Sequence, residues 1–137
     1  MTQGDWPKMP LLPVAWGEVF DKLTILDIKA EKFADTEKLE NVERERKEIE
    51  KVIGDRSRFP QGLSSLVQEL KELNAKLWDI EDGKRACERH QRFDDHFIEL
   101  ARRVYIDNDK RACIKRDINN LLGSTLKEEK SHSESEK

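Results

Sequence analysis

LSSLVQELKELNAKLWDIEDGKRACERHQ, residues 63–91, carries its apolar side chains at Leu63, Leu66, Leu70, Leu73, Leu77 and Ile80 and, after Lys84, at Cys87. The intervals alternate between three and four, which is the heptad seam of one long, coiled-coil-like helix. At about 1.5 Å of rise per residue such a helix extends roughly 43 Å. A second line, Val67, Asn74, Trp78 and Glu81, runs beside the seam, so this helix should touch more than one neighbour. Gly83 inside it costs about 1 kcal/mol relative to Ala, which a close helix crossing or a local kink would explain.

The rest of the chain organises itself around that helix. Residues 1–15 form an extended arm, because Pro7, Pro10 and Pro13 each fix φ and push the preceding residue out of the helical region. Trp6, Leu11 and Leu12 are costly to leave in water, so the arm is expected to lie across the bundle or a partner subunit. A first helix follows over about 16–33. Its stripe is Val19, Leu23, Leu26, Ala30 and Phe33, with Phe20, Ile25 and Ile28 on other faces, the pattern of a central helix. Asp35 or Thr36 caps a second helix over about 37–53, whose outer face is laced with i,i+4 charge pairs and whose seam is interrupted by a snorkelling Arg46. Beyond the break at 54–62 (GDRSRFPQG) and the long helix, Asp94 or Asp95 caps a last helix that Gly123 ends. Residues 127–137 (KEEKSHSESEK) lack apolar side chains and read as a disordered tail. The expectation is an all-α antiparallel four-helix bundle with a single helical domain over 16–126.

Composition narrows the function. Charged residues make up 40% of the 137 and aromatic ones 7%, the balance of long solvated helices. A net charge of −3 argues against general nucleic-acid binding, although ten basic residues against six acidic ones between Lys84 and Arg116 form a mildly cationic stretch. No apolar run approaches the ~20 residues of a membrane span, and the N-terminus lacks the pattern of a secretory signal. Two cysteines in a helical chain imply reduced thiols and a cytoplasmic setting.

Three groups of residues invite a chemical reading. The last helix repeats Phe97, Ala101, Val104, Asn108, Arg111, Lys115, Ile118 and Leu122, apolar at both ends and polar in the middle. Either Asp107 or Asn108 caps a separate short helix and the cations snorkel or pair with acids such as Asp27, Glu81 or Asp82, or Asn108, Arg111 and Lys115 line a pocket between helices for a phosphate or carboxylate. Whether the last helix is continuous or broken near Asp107 to Asp109 stays open. Trp78, Glu81 and Asp82 share one edge of the long helix, where carboxylates can orient a ligand or Mg²⁺ but more often form a solvated rim. Asp27, beside Phe20 and Leu23 on the first helix, reads most simply as one half of an ion pair. Cys87, His90, His96 and Cys113 have zinc-binding atoms without zinc-binding spacing, and neither a nucleophile motif nor a glycine-rich phosphate loop occurs. No metal site, no cofactor and no catalytic residue is assigned.

The stretches GEVFDKLTILDIKAEKF (17–33), LNAKLWDIEDGKRACE (73–88) and FIELARRVYIDNDKRACIKRDINNLLGS (97–124) together resemble a small bacterial and phage family of uncharacterised all-helical proteins. Members of that family are often encoded near, or fused to, genes for surface-polysaccharide assembly and glycosyl transfer, which implies a loose tie to sugar metabolism. Asp21, Lys22, Trp78, Glu81, Asp82, Asn108, Asp109, Arg111 and Lys115 belong to the shared pattern, and the family brings no catalytic assignment with it.

Two functions follow as expectations. The first is a non-catalytic cytoplasmic binding or assembly protein, a homo-oligomer (a dimer) that engages itself and a protein partner through its helical surface. The second is a ligand-binding or enzymatic bundle holding a phosphate-bearing small molecule such as a nucleotide sugar. Its ligand set would be Asn108, Arg111, Lys115, Asp27, Trp78, Glu81 and Asp82. A concave pocket that gathers both polar groups separates the second from the first.

Overall fold

The computed structural model describes residues 4–126 and 128–129, and the chain is all-helical across them. Four helices follow one another: α1 (Trp16–Lys32), α2 (Thr36–Ile53), α3 (Leu63–Arg89) and α4 (Asp95–Leu122), with a short 3-10 turn (Arg56–Arg58) in the long connection between α2 and α3. Side-chain caps start α2 and α4 where the sequence placed them: the Asp35 carboxylate accepts from the Glu37 N–H and the Asp94 carboxylate from the Phe97 N–H. Gly123 closes α4 in the left-handed conformation at φ 67°. No break occurs at Asp107 to Asp109, where α4 is continuous.

The helices run alternately up and down, with α1 at the centre. It packs on each of the other three, and the pairing of α3 with α4 is the most extensive contact. The reason lies in the sequence of α1, which is apolar on several sides. Phe20 and Leu23 enter a core with Ile53, Leu63, Leu70 and Ile118. Trp16, Phe20 and Phe59 close one end of that core with rings meeting at 5.4–6.0 Å. The second line on α3 has found its neighbour within the same chain. Asn74 bonds Asp21 of α1, and Trp78 meets Phe33, just past the end of α1, at 6.0 Å with the rings tilted by 57°. That line therefore gives no reason of its own for a second copy.

One expectation is narrowed. Residues 4–14 are irregular and do not lie across their own bundle: Leu11 is 92% exposed, Leu12 78% and Trp6 70%. The prolines keep this segment out of the helical conformation, and only Val14 at its end reaches the edge of a groove between α1 and α2. The tail expected to be disordered lies outside the described residues except for 128 and 129, of which Glu128 makes an ion pair with Lys115.

Candidate functional site

The site begins with how tightly α1 and α4 cross. Gly17 carries no side chain, and a methyl group there would sit 2.6 Å from the Lys115 carbonyl oxygen and 2.9 Å from Asn119 Oδ1. The contact is polar as well as close. Ala15, at the N-cap of α1, has no capping side chain, so the orphan N–H groups are met from α4. Gly17 N–H donates to Asn119 Oδ1 at 2.6 Å and Trp16 N–H to Ser124 Oγ at 3.0 Å. This clasp fixes the rotation of α1, which turns Glu18 and Asp21 toward α4.

Asp21 is the hub. It is 4% exposed, and its carboxylate receives a two-pronged contact from Arg111, Nε to Oδ1 at 2.9 Å and Nη2 to Oδ2 at 2.5 Å. Asn74 Nδ2 adds a donor at 2.9 Å and also reaches the Thr24 hydroxyl oxygen, while that hydroxyl donates to the Asp21 carbonyl. A buried carboxylate with three side-chain donors is compensated for its loss of water. One turn along α4, Lys115 is nearly buried, with Glu18 at 2.6 Å, Glu128 at 3.0 Å and Asp21 at 4.0 Å. Hydrogen bonding to Asp21 raises the pKa of Arg111 against the opposing effect of burial. Burial pulls on the Lys115 ammonium too, but its contacts with Glu18 and Glu128 outweigh that and raise its pKa. Glu128 is held below its ordinary carboxyl range, chiefly by hydrogen bonding to Lys115.

Arg111 forms part of the wall of a cavity of about 510 Å³ between α1, α3 and α4. Ile25, Ile28, Leu77 and Val104 supply apolar surface, with Trp78 beside them; Asn74, Glu81, Asp82, Arg85, Asn108 and Arg111 supply polar groups. Two carboxylates face two guanidinium groups, so the lining has no net charge. Asn108 Oδ1 accepts from Arg111 Nη1 at 3.4 Å, and Lys84 lies 3.4 Å from Glu81 at the margin.

Five of the seven residues singled out from the sequence thus meet in one cavity: Trp78, Glu81, Asp82, Asn108 and Arg111. Asp27 does not join them. It pairs with Arg46 of α2 at 3.0 Å on the other flank of α1, because a helical residue six positions from Asp21 points away from it. Lys115 lies outside this cavity, in a smaller one of about 310 Å³ that shares Asn108 and Arg111 and contains Glu128. The residues missing from the sequence reading are partners: Glu18, Thr24, Asn119 and Glu128, while Asp21 entered it only as a position of the shared pattern and without a role. Among the described residues no three His, Cys, Asp or Glu side chains converge as a metal site would require. Cys87 is buried and Cys113 exposed, both as free thiols, and no described helix is long and apolar enough to cross a membrane. Comparison of the chain with protein-family models, with curated proteins and with solved structures gave no match.

Proposed function

We propose that the protein binds a small polar molecule of the carbohydrate class in the cavity between α1, α3 and α4. The observation that carries this reading is the meeting of Trp78, Glu81, Asp82, Asn108 and Arg111 around one concave space of about 510 Å³, within the range of ordinary ligand pockets. An apolar wall with a ring of charge-balanced donors and acceptors suits a ligand with one C–H face and several hydroxyl groups. The face would rest on Trp78 and the neighbouring aliphatic side chains. The hydroxyls would donate to Glu81 and Asp82 and accept from Arg85, Asn108 and Arg111. The resemblance to a family encoded beside polysaccharide genes agrees with this class. The reading is one of binding, and no residue is given a role in breaking a bond. It ranks above assembly because assembly gives no reason for these polar groups to converge.

Thermal unfolding of the full chain against a panel of neutral sugars, sugar phosphates and nucleotide sugars tests it. A ligand that binds only the folded state stabilises it by about 2.7 kcal/mol at a hundredfold excess over its Kd. We expect at least one sugar-bearing compound to raise the midpoint and Trp78→Ala to abolish the rise while the protein stays folded. A flat panel refutes the reading.

A second reading, self-association, has an observation of its own. The exposed Trp6, Met9, Leu11, Leu12 and Val14 lead away from a groove of about 470 Å³ between α1 and α2, lined by Val19, Ile25, Leu26 and Ile49. Exchange of arms between two copies in a cytoplasmic homodimer would cover both apolar surfaces isologously. Sedimentation should then give a dimer for the full chain and a monomer for Leu11→Asp/Leu12→Asp; a monomeric full chain ends that reading.

A further inference from the structure

The smaller cavity beside the proposed sugar site already has an anion in it. Asn108, Arg111, Ala112 and Lys115 line about 310 Å³ of space, and the remaining lining residue is Glu128. Its carboxylate lies 3.0 Å from the Lys115 ammonium. The other carboxylates around Lys115 belong to the body of the bundle: the half-exposed Glu18 and the buried Asp21 are both held on α1. Glu128 is different. It lies beyond Gly123, which ends α4, and its side chain is 53% exposed, so no helix holds it in place. Asn108 uses its carbonyl oxygen to accept from Arg111 and has amide N–H groups besides, which can only donate.

We infer that this subsite takes a phosphate group and that Glu128 is its built-in occupant, which the incoming phosphate displaces. The inference rests on the carbohydrate reading for its context, since the two cavities share Asn108 and Arg111 and one molecule carrying a sugar and a phosphate would span both. The chemistry of the exchange is favourable. A phosphate presents three oxygens where the carboxylate presents two, and it carries a larger charge. It can accept from Lys115 and from the N–H groups of Asn108 and Arg111 together. Glu128 competes from a high effective concentration because it is tethered 13 residues along the same chain from Lys115. Its contact is part-buried at Lys115 but half open to water on the Glu128 side, so a free phosphate can win. Glu18 remains in place and keeps Lys115 charged and oriented toward the subsite.

The test uses inorganic phosphate as the probe, titrated into the full chain at constant ionic strength with chloride as the control and followed through the backbone amide resonances of residues 108, 111 and 115. We expect saturable shifts in the wild type and an affinity at least about two- to fivefold higher in Glu128→Gln, the range for a surface ion pair being the lower bound for one whose lysine is nearly buried. Lys115→Gln should lose the binding in either background. Equal phosphate affinity in wild type and Glu128→Gln, or no saturable shift in either, overturns the inference. Phosphate binding is read without any sugar present, and neutral-sugar binding is read at Trp78 without any phosphate. Failure of one is therefore distinguishable from failure of the other.

Discussion

Asp21 decides more of this structure than any other polar residue. Its partner Arg111 lies 90 positions away, and the pair is joined by Asn74 from a third helix. Replacing Asp21 with Asn keeps the shape but leaves Arg111 without its counter-charge. The expected cost is about 2–3 kcal/mol, somewhat below the value for a fully buried pair because Arg111 retains access to water. Equilibrium urea unfolding measures it, with a lower midpoint and an unchanged slope as the expected outcome. Pairings of this kind are not written in local spacing. The middle of the last helix could be read as polar and out of place, and Asn108, Arg111 and Lys115 could be named from it. Nothing in the order of residues says that Asp21 faces them and Asp27 does not. That depends on the rotation of α1, set by Phe20 and Leu23 in the core and by the Gly17 contact with α4.

At the scale of elements, periodicity carried most of the information. The stripes of α1 and α3, the acidic caps Asp35 and Asp94, and the stop at Gly123 are all local, and each appears within a residue or two of its place in the sequence. The start of α1 was less legible, because its orphan N–H groups are satisfied by Asn119 and Ser124 from the far end of the chain. The two helical glycines should separate by what their missing methyl groups would meet. At Gly17 the obstacle includes a backbone carbonyl, so Gly17→Ala must push α1 and α4 apart and should cost about 1–3 kcal/mol. At Gly83 the nearest atom is the Leu100 Cδ1 methyl at 3.0 Å, the flexible end of a side chain. There the gain in helix propensity offsets the crowding, and Gly83→Ala should change stability by under about 1 kcal/mol. Thermal denaturation of the two variants compares them directly. A neutral Gly17→Ala would contradict the close crossing.

Across the whole molecule, the polar groups converge where α1, α3 and α4 meet, while α2 packs on α1 and carries the charge-dense outer face. The asymmetry explains why the long helix, which dominates the sequence, is not the centre of the fold. α3 supplies Asn74, Trp78, Glu81, Asp82 and Arg85 to one wall of the cavity, α4 supplies Val104, Asn108 and Arg111 to another, and α1 holds the two walls in register through Asp21. A cavity shared among three elements leaves only fragments of itself in any one stretch. For that reason the individual residues were legible and their meeting was not. The measurement that tests the central claim most directly is a two-dimensional ¹⁵N–¹H NMR titration of the full chain with the sugar phosphate that most raises its thermal midpoint. The account predicts that, of the three tryptophan indole signals, that of Trp78 shifts most, together with amides around Asn74, Asn108 and Arg111, while those of Trp6 and Trp16 stay in place. Shifts that centre on the arm or on the α1–α2 groove, or no saturable shift at all, would contradict it.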